Sequence, residues 1–136
     1  MKFRSGNEFT DPKYTSWDRY LQRPDSSAFR DPNGVRENGL YELARNWRFA
    51  CEVSRKLNVP VGVVNLGPER LFKGPGGVAL EGFVSLLNQD PRHQFYRITW
   101  QQLFEASGEV PGWFPAYAVE KRLEAWGCYA SAARAA

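Results

Sequence analysis

Residues 39–66 constrain the fold more than any other part of the chain. Apolar and small residues recur there at steps of three and four, which predicts a helix with one buried face: Leu40, Leu43, Ala44, Trp47, Ala50, Cys51, Ser54 and Leu57. The sequence Asn58-Val59-Pro60 stops this helix, and a mainly apolar run, Val61-Gly62-Val63-Val64-Asn65-Leu66, comes next. A run without polar alternation is typical of a strand covered on both faces in a parallel sheet. A helix that leads into such a strand indicates an α/β domain.

Length and composition fit one soluble domain. The chain has 136 residues, 43% of them hydrophobic, which is enough for a single core. A mean hydropathy of −0.53 and the lack of an apolar run near 18 residues argue against a membrane span. The first residues contain no apolar segment of a secretory signal. We therefore expect a cytoplasmic protein with no membrane partner.

Proline and glycine divide the chain into three segments. Residues 1–38 contain Asp11-Pro12, Arg23-Pro24 and Asp31-Pro32, which predict a loop-rich N-terminal segment with one short strand. Residues 39–127 form the predicted α/β core, and residues 128–136 a flexible tail.

Within the core, helices and strands alternate. We predict a helix at 39–57, a strand at 61–66, a helix at 78–88 and a strand at 95–100. A strand, a helix and a second strand at this spacing predict parallel strands joined by a crossover. A helix at 101–107 ends at Gly108, and Pro115 lies in the first turn of a last helix. Its inward stripe is predicted to be Ala116, Val119, Leu123 and Trp126.

Few residues offer conventional chemistry. His93, the only histidine, lies in a polar turn without a second histidine or a neighbouring Ser-Asp pair, so we interpret it as a surface residue. The segment 73–77 precedes a helix and is either a weak anion cradle or a flexible turn, because Pro75 removes one amide and the P-loop pattern is absent. Cys51 and Cys128 are interpreted as free thiols.

Arginine dominates the basic residues. The net charge is only +3, but 13 of the 18 basic residues are Arg, which suits bidentate phosphate contacts. Arg45, Arg48 and Arg55 share one stripe of the first core helix. That stripe could follow a phosphate backbone, or it could be a solvated face neutralised by Glu42 and Glu52.

Asn46 adds a second polar candidate beside this stripe. Arg45 and Asn46 lie next to the predicted buried face, where a polar pair usually has an assigned partner. Both are therefore candidate nucleic-acid-binding residues, together with Arg48 and Arg55.

Three segments carry a resemblance to a known family. Residues 40–50 (LYELARNWRFA), 61–66 (VGVVNL) and 95–103 (FYRITWQQL) resemble the C-terminal half of the PD-(D/E)XK nuclease-like superfamily, and the likeness covers about residues 8–126. It implies a truncated restriction-endonuclease-like α/β fold, with a small mixed or parallel sheet flanked by helices. It also implies metal-dependent hydrolysis of DNA phosphodiesters.

The catalytic motif of that superfamily is altered in this chain. There, an Asp on one strand and a Glu-x-Lys on the next hold Mg²⁺ and the attacking water, because residues two apart on a strand share a face. The segment 9–12 matches the residues that come directly after Glu-x-Lys in a bacterial branch, which puts Gly6 at the Glu position and Glu8 at the Lys position. The strand with the metal-binding Asp would lie before Met1. In a rival register Asp11 and Lys13 are the acid and the lysine, although Pro12 between them is a poor strand residue.

Three functions remain as alternatives. The first is a degenerate, noncatalytic unit without a cofactor that binds nucleic acid or a partner through its arginines and the loops between Lys13 and Gly34. The second is an active Mg²⁺-dependent DNA endonuclease with Asp11, Lys13 and Glu8 as catalytic residues. The third is a structural interaction domain without nucleic-acid contact. Missing early strands would leave a sheet edge that a second copy could cover, so a homodimer is one expected assembly.

Overall fold

The computed structural model describes residues 17–21 and 28–121. These contain six α-helices and two strands, so the protein is a mixed α/β fold. In chain order the elements are α1 (Asp18–Leu21), α2 (Pro32–Asn38), α3 (Tyr41–Leu57), β1 (Val61–Gly67), a 3₁₀ turn (Glu69–Phe72), α4 (Gly74–Ser85), β2 (His93–Thr99), α5 (Trp100–Ser107) and α6 (Phe114–Glu120).

Helix α2 lies where the sequence predicted a turn. Asp31 is its N-cap, and the Asp31 carboxylate accepts a hydrogen bond from the Gly34 backbone N–H at 3.0 Å. Pro32 occupies the first turn, where its missing N–H costs nothing. An Asp-Pro pair suits a helix start as well as a turn, so the loop prediction for 31–38 is wrong. The predicted short strand appears, within the described residues, only as an isolated bridge between Phe29 and Leu87.

Helix α3 packs its predicted apolar face into a core. Leu43, Ala44 and Trp47 are buried, and the Trp47 indole Nε1 donates a hydrogen bond to the Ala28 carbonyl at 2.8 Å. The helix ends at Asn58, which adopts the left-handed conformation at φ 54°, so the predicted stop is confirmed. Leu57 is the exception to the predicted stripe, because it is 67% exposed in the last turn.

The two strands form a two-stranded parallel sheet, as the spacing of strand, helix and strand predicted. The Val61 N–H donates to the Arg92 carbonyl at 2.8 Å, where the pairing begins. The prediction that the first strand is covered on both faces is wrong. Gly62 and Val64 are exposed, and the burial along β1 alternates instead.

Helix α4 begins four residues before its predicted start. The segment 73–77 was interpreted as a cradle or a turn, but residues 74–77 form the first turn of this helix. Gly77 is required there, since a Cβ would lie 2.3 Å from the Phe72 carbonyl oxygen. The helix ends at Ser85 rather than at residue 88, and Leu80, Phe83 and Leu87 are buried.

The described residues divide into two compact units. The first contains 17–21, 28–63 and 79–96, and its core includes Trp47, Phe83 and Phe95, whose rings meet edge to face. The second contains 64–78 and 97–121.

The second unit has an aromatic core of its own. Phe104 and Phe114 lie with ring centroids 4.6 Å apart, and Trp100 packs against both. Thr99 and Gln102 form a capping box that starts α5, and Gly108 ends it as predicted.

The inward stripe predicted for the last helix is wrong at its two described positions, Ala116 and Val119. In α6 the buried residues are Phe114 and Ala118, whereas Ala116 is exposed and Val119 is 64% exposed. Leu123 and Trp126 lie outside the described residues. None of the described helices combines the length and the apolar character needed to cross a membrane.

Candidate functional site

The predicted arginine stripe on α3 does not form one exposed row. Arg48 has only 6% of its side chain exposed, and its Nη2 lies 2.7 Å from Glu52 Oε1. Arg55 Nη2 lies 2.8 Å from the other oxygen, Glu52 Oε2. One carboxylate therefore binds two guanidinium groups, because Glu52 lies one turn after Arg48 and one turn before Arg55 on the same face of the helix.

Arg45 and Asn46 differ from this ion-paired group. Both are exposed, and within the described residues Arg45 makes no hydrogen bond or ion pair. The expectation that this pair has an assigned partner beside the buried face is therefore not met for Arg45. Within the described part of the chain, its guanidinium has no partner that a ligand would have to displace.

A concave surface of about 300 Å³ surrounds Arg45 on one side of α3. We call it the aromatic groove. Two aromatic side chains line it, with three arginines, an amide and a carboxylate: Tyr20, Phe49, Arg19, Arg45, Arg48, Asn46 and Glu52. Phe49 is 70% exposed, and Tyr20 is held by an edge-to-face contact with the Tyr41 ring at 5.6 Å. An aromatic ring this exposed, in one groove with the exposed side chains of Arg19 and Arg45, is a surface that can stack on a planar group.

A second, more polar concavity of about 510 Å³ lies on another side of α3. We call it the histidine cleft. Helix α3 and its C-cap contribute Arg48, Cys51, Glu52, Ser54, Arg55 and Asn58. The chain around the start of β2 contributes Asp90, Arg92 and His93, and Ala28 and Asn88 complete the lining.

Asp90 fixes the orientation of His93 in this cleft. The His93 Nδ1 lies 3.1 Å from Asp90 Oδ2, and the Asp90 carboxylate also accepts hydrogen bonds from the Arg92 and His93 backbone N–H groups at 2.6 and 3.0 Å. The hydrogen bond from the His93 side chain, followed by that from the Arg92 backbone, holds the pKa of Asp90 below its usual value. The interpretation of His93 as a plain surface residue is therefore incomplete, since its side chain is 22% exposed and faces a cleft.

Cys51 lines the same cleft but is not activated. Burial raises the pKa of its thiol from 9.0 to about 11, which outweighs the opposite effect of Arg48. The sulfur is therefore a protonated thiol near neutral pH, whereas a cysteine nucleophile requires a thiolate. The cleft is better suited to binding through its charged and amide groups than to covalent chemistry at Cys51.

The predicted catalytic residues Glu8, Asp11 and Lys13 lie outside the described residues. Within 17–21 and 28–121, no group of three or more His, Cys, Asp or Glu side chains is arranged to hold a metal ion. Of the α3 candidates, Arg45, Asn46 and Arg48 line the aromatic groove, whereas Arg55 lines the histidine cleft.

Several lining residues were not identified from the sequence. Arg19 and Tyr20 were not named individually, although they lie between Lys13 and Gly34, where loops were expected to take part in binding. Arg92 directly precedes β2 and His93 begins it, far along the chain from α3. Phe49 did carry a signal, because it is an aromatic residue four positions after Arg45 and off the apolar stripe. An aromatic residue on the polar side of an amphipathic helix is a reasonable marker for a binding surface.

Comparisons with family models, with curated proteins and with solved structures find no significant match for this chain.

Proposed function

We propose that this protein is a noncatalytic unit that binds single-stranded nucleic acid through the aromatic groove. The observation that carries the proposal is the exposed Phe49 ring in one groove with the guanidinium groups of Arg45 and Arg19. The unit is further proposed to be a degenerate PD-(D/E)XK-like domain. Its helix, strand, helix and parallel strand in sequence are compatible with that assignment.

Stacking provides the affinity for bases. Every base has two flat faces that can stack on an aromatic ring, so stacking does not depend on the nucleotide sequence. Such contacts contribute about 1–3 kcal/mol per base. Phe49 offers its ring to solvent, and Tyr20 forms a second aromatic wall. Bases of a single strand are free to stack in this way, whereas those of a duplex are already paired and stacked.

The arginines provide contacts to phosphate. Arg45 and Arg19 are exposed and line the same groove, and Asn46 adds an amide. Arg48 and Arg55 share Glu52, so their proposed contribution is smaller than their position on the helix predicted. The ligand phosphates would thus be held mainly by Arg19 and Arg45.

The test is fluorescence anisotropy with a fluorescein-labelled single-stranded DNA and with its duplex, at low salt. We expect saturable binding to the single strand and weaker binding to the duplex. Phe49→Ala should weaken binding about tenfold, because one stacking contact is lost. Leu57→Ala is the matched control, since Leu57 is similarly exposed on the same helix but lines neither concavity.

Two results would contradict the proposal. One is equal loss of affinity in Phe49→Ala and Leu57→Ala, and the other is a lack of saturable binding at low salt. Cleavage of plasmid DNA with Mg²⁺ or Mn²⁺ that disappears in Lys13→Ala would instead establish the endonuclease.

A further inference from the structure

The histidine cleft contains more positive than negative groups. Three guanidinium groups line it, from Arg48, Arg55 and Arg92, against the two carboxylates of Glu52 and Asp90. Glu52 is shared between Arg48 and Arg55, and Arg92 Nη2 donates to the neutral Asn58 Oδ1 at 2.9 Å. Among the lining residues that the structure describes, the cleft therefore has an excess of one positive charge with neutral His93, and of two with protonated His93.

One of these three arginines lies in a buried environment. The Arg48 side chain is nearly enclosed, and Ser54, another lining residue, is buried as well. Charges act more strongly on a ligand where water is partly excluded, because the effective dielectric constant is lower. The Asn58 side-chain amide and the His93 imidazole line the same cleft, and both groups can donate hydrogen bonds to an oxyanion.

We propose that the histidine cleft binds the phosphate group of a phosphomonoester. A phosphate monoester carries up to two negative charges on three terminal oxygens, which matches an excess of one to two positive charges and a fork of arginine donors. The volume of about 510 Å³ exceeds what a phosphate ion needs and leaves room for the esterified group. This site uses residues different from those of the aromatic groove except Arg48 and Glu52, so it does not depend on nucleic-acid binding.

The primary test is isothermal titration calorimetry of the full chain with inorganic phosphate at low ionic strength. We expect saturable binding with one site per chain. Arg92→Gln should weaken it about tenfold, since a hydrogen bond to a charged group is lost. Arg97→Gln makes the same change of charge at an exposed position on β2 that lines neither concavity, and it should leave the affinity unchanged.

Arg55→Gln is a second variant in case Arg92→Gln fails to fold, because the Arg55 side chain is mostly exposed. It should also weaken phosphate binding severalfold. Phe49→Ala should bind phosphate as the wild type does, because Phe49 lines only the aromatic groove. Phosphate binding can therefore succeed or fail independently of nucleic-acid binding. Lack of saturable heat at millimolar phosphate, or equal losses in Arg92→Gln and Arg97→Gln, would overturn the inference.

The source of the phosphate is identified by two further titrations. Tighter binding of ribose 5-phosphate than of inorganic phosphate supports a small phosphorylated metabolite. Tighter binding of a 5′-phosphorylated oligonucleotide than of its unphosphorylated form, lost in Arg92→Gln, supports a nucleic-acid end. If both esters bind more weakly than inorganic phosphate, the cleft excludes esters and the proposal is wrong.

Discussion

Three arginines on one helix have three different environments. Arg45 is exposed without a partner among the described residues, Arg48 is buried against Glu52, and Arg55 is exposed but shares that same carboxylate. An exposed ion pair contributes little to stability, whereas removing one partner of a buried pair is costly. Arg48 is thus mainly a structural residue that also borders both concavities, and Arg45 is the better candidate for ligand contact.

Cys51 gives a prediction about reactivity. Burial raises the pKa of its thiol from 9.0 to about 11, so at pH 8 its thiolate is about a hundredfold scarcer than that of an unperturbed thiol. In a Cys128→Ser background, iodoacetamide should therefore modify Cys51 about a hundredfold more slowly in the folded protein than in urea. Mass spectrometry of the adduct measures both rates.

The same shift of the Cys51 pKa sets the sign of a pH effect on stability. The pKa of the thiol is higher in the folded protein than in the unfolded chain. Its contribution to the free energy of unfolding is therefore complete below about pH 9 and is lost as the pH rises through 11. The stability of Cys51→Ser should accordingly be less sensitive to alkaline pH than that of the wild type.

In the alkylation experiment, equal rates in folded and unfolded protein would show that the Cys51 thiol is not protected.

At the scale of elements, α2 depends on its cap. The Asp31 carboxylate satisfies the Gly34 N–H, and a Cβ at Gly34 would lie 2.7 Å from Asp31 Oδ2, so the cap and the glycine fit together. Asp31→Ala should lower the free energy of unfolding by about 1 kcal/mol, measured by urea denaturation. Asp31→Asn keeps an acceptor and should cost much less. Similar losses in both variants would mean that the cap contributes little.

The elements also show which parts of the fold can be predicted from local sequence alone. Helix α3, its end at Asn58, α5 with its Gly108 cap and the order of β1, α4 and β2 were all predicted, because helical periodicity and capping are local. Helix α2 was missed since Asp-Pro begins both turns and helices. The buried face of α6 was also missed, because Phe114 and Ala118 are selected by the aromatic residues of α5 rather than by their own spacing.

At the scale of the whole molecule, a net charge of +3 is too small to bind polyanions by itself, so the arrangement of the charges decides. If Arg19 and Arg45 each neutralise one phosphate of a single strand, log K should fall with log salt with a slope of about −1.4, from about −0.7 per phosphate. Arg45→Ala should reduce this slope by about 0.7. Anisotropy titrations over a series of salt concentrations measure it.

Lys56→Ala is the control for the salt series. Lys56 is exposed near the end of α3, lines neither concavity and carries the same charge. It should leave the slope unchanged. Equal reductions in Arg45→Ala and Lys56→Ala would indicate diffuse attraction rather than a phosphate contact at the groove.

The sequence by itself determined the α/β class, the central helix and its end, and the parallel pair of strands, since these depend on periodicity and chain stops within short windows. Only the tertiary structure decided which arginine of α3 is buried and which are exposed. It also brought Asn58 to Arg92, 34 residues later, and placed Arg19 in one groove with Phe49. Such contacts are made by packing between distant segments, and a one-dimensional pattern contains no distance between residues that are far apart in the chain.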